Sequence, residues 1–292
     1  MLETVLEGVR LRSRGKVRDI YDLGDHLLLV STDRISAFDC VLPNGIPGKG
    51  RVLNLLSEFW FRATREIVPN HLVTTAVEEY PAEIRRHGEI LRHRSMLARK
   101  ADMIPVECVV RGYLAGSGWR EYRETGRLAG IEMPRGLRVA ERLPGPVFHP
   151  AVKATRGHDE NLTYADLVAR IGSDLAARLR EASLRLYEAG VRRAGASGVL
   201  IADTKFEFGR LDGGLVLADE LFTPDSSRFW RREEYRPGTA PEAFDKQFVR
   251  DYLESVGWDK RPPAPVLPEE VVRETAGRYR EIFRVLTGRE AP

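Results

Sequence analysis

Between positions 201 and 209 charged and packing side chains alternate. Asp203, Lys205 and Glu207 are interleaved with Ala202, Thr204, Phe206 and Phe208. A period of two is that of a strand, so the three charges share one face and the packing groups the other. Asp-Gly-Gly at 212–214 is a hairpin signal, and a second apolar run, 215–218, ends in Asp219–Glu220. The pattern predicts a hairpin in the register that sets Lys205 opposite Asp219 and Glu207 opposite Leu217. Upstream, the apolar run 27–30 reads as a buried strand paired with residues 14–21 across a turn at 23–25. Residues 71–77 and 95–100 also read as strands, and 104–110 is apolar apart from Glu107. Helical spacing covers 51–66, with Leu53, Leu56, Trp60 and Phe61 on one face and Pro69 beyond its end. Thr163, with Asp166 three residues on, predicts a capped helix that Gly172 would end. Helices are also expected at 174–194, 246–255 and 269–286. Residues 130–146 read as loop, and the four prolines of 261–268 as a rigid connector. Residues 1–110 are thus strand-rich, and the remainder mixes strands with helices.

Composition narrows the class. The chain has 292 residues, 42% apolar and 30% charged, enough for a full globular core as one large domain or two lobes. A net charge of +3 gives no argument for a nucleic-acid partner. The N-terminus carries no apolar segment and no run of eighteen apolar residues occurs, so the expectation is a cytoplasmic protein without a membrane partner. Cys40 and Cys108 match no metal-ligand spacing and read as small core residues of a reducing compartment. Of the 46 basic residues only seven are lysine, which makes each lysine worth placing.

On the predicted hairpin, Glu207 and Asp219 come close enough to share one divalent cation beside Lys205. Two carboxylates and an ammonium suit Mg²⁺ with a polyphosphate; a solvated face on an edge hairpin is the alternative. Gly15-Lys16-Val17-Arg18 resembles a phosphate-covering loop, or else a solvated basic turn. Asp39, between Phe38 and Cys40, reads as a partly desolvated proton acceptor or a carboxylate that satisfies backbone donors. Residues 103–118 run as a buried strand into Arg111 and a Gly/Ala/Ser turn. There Arg111 is a bidentate anion clamp and Ser117 offers a hydroxyl. Glu107 on that strand needs a partner, either Lys100 or Arg111. Lys153, His158 and Asp159 crowd a polar loop that contacts a small molecule or caps the next helix. Asp225 and Arg228, in the segment TPDSSR, add short polar groups and a second anion clamp.

Together MIPVECVVRGYLAGSG, IADTKFEFG, GKVRDIY, STDRISAFD, FHPAVKATRGHDEN, DELFTPDSSRFW and KQFVRDYLES resemble the SAICAR synthetase family. The RGYLAGSGW form and the long FHPAVKATRGHDEN segment are similar to its longer, yeast-like branch. The resemblance implies a two-lobed α+β fold, with a β-rich N-terminal lobe (1–110) and a mixed C-terminal lobe (111–292) holding ATP between them, as in kinases and ATP-grasp enzymes. It implies ATP-dependent joining of L-aspartate to carboxyaminoimidazole ribonucleotide (CAIR) through an acyl phosphate. By the family pattern Glu207 and Asp219 hold Mg²⁺, Lys205 neutralises phosphoryl charge, and Lys16 and Arg18 cover the ATP phosphates. The backbone around Arg99, Ala101 and Asp102 meets the adenine. Arg111, Ser117, Asp225 and Arg228 bind the ribonucleotide, Asp39 is the candidate base, and Lys153, His158 and Asp159 touch substrate. A small-molecule kinase or a non-catalytic nucleotide-binding module are the competing readings; only a ligase would need aspartate to release phosphate.

Overall fold

The computed structural model describes residues 1–152 and 160–292. Its first sheet is antiparallel and contains β1 (Leu11–Arg14), β2 (Arg18–Asp22) and β3 (His26–Ser31). A small hairpin, β4 (Ser36–Ala37) and β5 (Cys40–Val41), leads into helix α1 (Lys49–Thr64). Then come β6 (Leu72–Thr74), a 3₁₀ turn, the short helices α2 (Ala82–Arg85) and α3 (Gly88–Leu91), and β7 (Ser95–Arg99). The sheet order is β1-β2-β3-β7-β6. The strand expected over 71–77 is shorter because the chain tightens into the 3₁₀ turn at Val77.

The second sheet is built on β8 (Asp102–Tyr113), which leads into helix α4 (Gly116–Thr125). The stretch 130–146, expected to be loop, begins in the two-stranded pair β9 (Arg127–Leu128) and β10 (Ile131–Glu132) and ends inside β11 (Arg142–Val152). Pro144 and Pro146 of β11 fall where its pairing with β8 is interrupted, between Arg142 and Val147. β12 (Glu160–Asn161) precedes α5 (Tyr164–Ile171), which opens with the expected reciprocal Thr163–Asp166 cap. Helix α6 (Ser173–Ala196), β13 (Val199–Leu211), β14 (Gly214–Ala218), β15 (Ser227–Arg231), α7 (Gln247–Ser255) and α8 (Glu269–Thr287) complete the chain.

Sheet order is β12-β11-β8-β13-β14, with β15 also on β13. β14 pairs Glu207–Leu211 of β13, and β15 pairs residues 199–204. The two short strands thus share one edge of β13 end to end, and the segment between them, 219–226, leaves the sheet opposite Lys205. The Lys205 N–H donates to the carbonyl of Ser226 at 2.8 Å across this fork.

One apolar core runs through both sheets. The face of β13 opposite its charges, with Phe206 and Phe208, packs with Leu179, Leu186 and Tyr187 of α6. Trp60 and Phe61 of α1 join the same core and meet Phe222 and, from α8, Phe283. Gly112 has no room for a side chain: an added Cβ would stand 2.0 Å from the Tyr187 hydroxyl, which donates to the carbonyl of Ile201. The strands of the two sheets divide between Arg99 and Asp102. Position 110, the expected lobe boundary, therefore lies inside β8, and all of β8's pairing is with the second sheet. Cys108 is buried as expected; Cys40 is only half-buried, at the β4–β5 turn.

Candidate active site

The antiparallel register of β8 and β13 sets Arg111 opposite Asp203, Val109 opposite Lys205 and Glu107 opposite Glu207. Because alternate side chains share a face, the charges of both strands meet on one surface. Facing carboxylates at Glu107 and Glu207 would repel, and Lys205 lies between them, its Nζ 2.7 Å from Glu107 Oε1 and 2.8 Å from Glu207 Oε1. Glu107 is thus paired by Lys205, not by Lys100 or Arg111; Lys100 pairs with Asp22 instead. Burial opposes the charge on Lys205, but Glu207 and Glu107 outweigh it and hold the ammonium above its ordinary range.

The hairpin register differs from the expected one by a single residue: Glu207 lies opposite Ala218 and Phe208 opposite Leu217. The two-residue turn Asp212–Gly213, with both φ values positive (51° and 76°), sets it. A one-residue slip moves a side chain to the other face, so regular alternation would send Asp219 toward the phenylalanines. Its backbone is left-handed instead (φ 63°), and Asp219 lines the same hollow as Glu207. The carboxylate is half-buried, and that desolvation pushes its pKa up; Arg18 pulls it down, while Glu207 and Glu220 push it further up.

Arg18 is buried under this cluster, bonded to Asp219 and, at 3.0 Å, to Glu220. The loop before it is pinned from below. Arg34 donates to the carbonyls of Gly15 (2.8 Å) and Lys16 (3.3 Å), and Thr32 donates from N and Oγ1 to Val17. All three carbonyl oxygens are therefore taken by the fold, which suits a loop that meets phosphate oxygens. Arg34 also bonds buried Asp19; burial would raise that carboxylate's pKa, but hydrogen bonds from Thr4 and Arg34 hold it low. Lys16 is exposed and ion-paired with Asp39. Asp39 is exposed too, where partial desolvation was expected, because the β4–β5 turn holds Phe38 and Asp39 in left-handed conformations at the rim.

These groups line a hollow of about 570 Å³ bounded by Lys16, Arg18, Asp39, Glu107, Lys205, Glu207 and Asp219. A second hollow of about 170 Å³ contains Arg111, Ser117, Asp203, Arg228 and residues 224–227. Lys205, Asp225, Lys246 and Arg250 line both, so the two are adjacent. In the smaller one Asp203 Oδ2 accepts from Arg111 and Arg228, each at 2.8 Å. Asp225 is already bonded within the protein: Oδ1 accepts from Tyr279 at 2.6 Å and Oδ2 from Lys49 at 2.8 Å. Burial would raise its pKa, but Lys246, Lys49 and the tyrosine hold it far down.

Arg99, Ala101 and Asp102 lie outside both hollows. The Arg99 N–H donates to His71 and that of Lys100 to Asp25, and Asp102 is already in β8, opposite Arg210 of β13. The Arg99 side chain reaches away to Asp212 at 2.8 Å. Lys153, His158 and Asp159 lie outside the described residues. Sequence reading passed over Lys49, Asp203, Lys246 and Arg250 as site residues. Lysine scarcity was the available signal for two of them, and the 203–207 alternation for Asp203. Among the described residues no three His, Cys, Asp or Glu side chains gather as a complete metal site. Two carboxylates with the rest of the shell from phosphates is an ordinary Mg²⁺ arrangement, and the charge crowding at half-buried Asp219 favours a cation there.

A family model described as SAICAR synthetase matches residues 11–265. The phosphoribosylaminoimidazole-succinocarboxamide synthase of Thermodesulfovibrio yellowstonii is 53% identical over 287 residues, covering 98% of this chain and 98% of that protein. The enzyme of that name from Geotalea uraniireducens is 50% identical over 290 residues, 99% and 98% of the two chains. The solved SAICAR-synthase of Saccharomyces cerevisiae, complexed with SAICAR, matches with a TM-score of 0.89 and 40% identity over 99% of this chain and 98% of that one. Fold, hollows and relatives define an ATP-dependent carbon–nitrogen ligase of the two-lobed α+β type. The chain belongs to the SAICAR synthetase family: it joins L-aspartate to CAIR, with ATP going to ADP and phosphate, in purine biosynthesis.

Proposed function

We propose that the larger hollow takes ATP phosphates and the smaller one the ribonucleotide, so that the CAIR carboxylate meets the γ-phosphate near Lys205. The observation that carries this reading is that the two hollows adjoin, sharing Lys205, Asp225, Lys246 and Arg250 in their linings. The carboxylate oxygen of CAIR attacks the γ-phosphorus, the bond to the ADP oxygen breaks, and an acyl phosphate forms. The amine of L-aspartate then adds to the acyl carbon, phosphate leaves, and the amine loses a proton. Transfer of this kind needs positioning and charge neutralisation more than covalent help.

In this reading Lys205, kept charged between Glu107 and Glu207, faces the transferring phosphoryl group. Lys16 and Arg18 lie on the phosphate side, and Ala101 and Asp102 offer backbone to the adenine. Arg111, Ser117 and Arg228 clamp the ribonucleotide. Asp225 contributes by holding Lys49, Tyr279 and Lys246 around the junction. Asp39 at the rim is the candidate acceptor of the amine proton. Glu207 and Asp219 would hold Mg²⁺, which when bound neutralises phosphate charge. The remaining partners are small molecules, and the setting is the cytoplasm; no helix among the described residues is long and apolar enough to cross a membrane. The test is phosphate release from ATP with CAIR, with and without aspartate. Coupled release is expected only with all three substrates; release at the full rate without aspartate would contradict the coupled ligase reading.

A further inference from the structure

Arg111 is held on three sides. Its Nε–H donates to Nδ1 of His149 at 3.1 Å, NH1 to Asp203 at 2.8 Å and NH2 to the Ser117 hydroxyl at 2.9 Å. A guanidinium carries five N–H bonds, so two remain without a protein partner among the described residues, on a side chain that lines the ribonucleotide hollow. Two parallel N–H bonds recognise an anion well only if the plane that carries them is fixed.

His149 is the partner that sequence reading gave no role. It sits on β11 opposite Val109, on the charged face of the sheet, and is 1% exposed. For Nδ1 to accept from Arg111, the ring must be neutral with its proton on Nε2; the other tautomer would set two N–H groups against each other. Nε2 lies 3.2 Å from Oε2 of Glu121 on α4, and both atoms are buried with no aligned hydrogen-bond partner. The other Glu121 oxygen accepts from the Ala129 N–H at 2.8 Å, which ties the carboxylate down. Burial, aided by Arg111, pushes the imidazole down to about 3, so it stays neutral at working pH.

We propose that Glu121 and His149 are positioning residues for CAIR recognition: Glu121 selects the Nε2–H tautomer of His149, and His149 Nδ1 fixes the guanidinium plane of Arg111 toward the anionic substrate. The inference rests on the assignment of Arg111 to the ribonucleotide hollow. The carboxylate–imidazole–guanidinium chain links α4, β11 and β8, and Ser117 of the same helix takes another of the Arg111 donors. Helix α4 thereby sets the clamp from two directions.

Steady-state kinetics on four variants test this. His149→Leu removes the acceptor and should raise the KM for CAIR about tenfold or more, with the KM for ATP within about twofold, as for one lost hydrogen bond to a charged group. His149→Asn restores an acceptor near the place of Nδ1 and should recover most of that loss. Glu121→Leu should raise the CAIR KM less than His149→Leu does. Equal rises in the CAIR and ATP constants of His149→Leu, or His149→Asn no better than His149→Leu, would overturn the proposal. Arg111→Met separates the two levels. If it leaves the CAIR KM unchanged, the assignment of the hollow fails and this inference with it. If it raises that KM while His149→Leu does not, only the relay fails.

Discussion

The ammonium of Lys49 lies 2.8 Å from Oδ2 of Asp225, with side-chain exposures of 0% and 3%. Lys49 opens α1, Asp225 lies in the segment that leaves the second sheet beside Lys205, and Tyr279 of α8 bonds the other carboxylate oxygen. A buried pair costs desolvation to form but costs more when one partner is removed. Lys49→Met should destabilise by about 3–5 kcal/mol. Lys49→Met/Asp225→Asn should lose less than the sum of the single changes, with a coupling of about 0.5–3 kcal/mol. Urea unfolding of the three variants measures this; additive losses would mean the pair does not act as a unit.

Asp219 reaches the hollow only because its backbone is left-handed, and there it adds its charge to that of Glu207. Asp219→Asn removes that charge and should lower Mg²⁺-dependent turnover by about 10²-fold or more, as for loss of a key electrostatic group. Near-normal turnover in a Mg²⁺ titration would remove Asp219 from the metal pair.

Gly116 controls Arg228. It has a φ of 54°, and an added Cβ would stand 2.7 Å from the Arg228 NH2. Gly116→Ala should strain the turn and push the guanidinium aside, raising the CAIR KM several-fold with little change for ATP. An equal change for both substrates would mean that the effect is on the fold, not on the clamp.

His71 supplies a pH dependence. Burial, reinforced by Arg18, pushes its pKa down to about 4. The unfolded chain, with an ordinary value near 6.5, therefore binds the proton more readily. Its contribution to stability is fully present above about pH 6.5 and is lost as the pH falls toward 4, a span worth about 3 kcal/mol. His71→Phe should flatten the acid limb of unfolding free energy against pH over that window; an unchanged limb would assign it to other groups.

The sequence pattern disclosed the elements better than their joints. The 203–207 alternation placed three charges on one face because side-chain direction in a strand is local. The hairpin register differs by one residue because the expected pairing of 205 with 219 centres the turn on Asp212, an odd-length loop, whereas positive φ at both Asp212 and Gly213 makes a two-residue turn centred between them. The slip did not carry Asp219 away from the hollow it shares with Glu207, since Asp219 itself breaks the alternation. Exposure of Asp39 was invisible for the same kind of reason: neighbours in sequence are apolar, but the turn carries the carboxylate to the rim. Lys49 and His149 were missed because their partners lie 176 and 38 positions away in the chain, and nothing local announces such a pairing.

The apolar core that runs from Trp60 and Phe61 of α1 through Phe206 and Phe222 into α8 has a mechanical consequence. Rotating one sheet away from the other, in the manner of a jaw, would pull aromatic rings out of a shared interior and drag Lys49 off Asp225. The two sheets share one interior, so opening the cleft by such a movement would cost the burial of those rings.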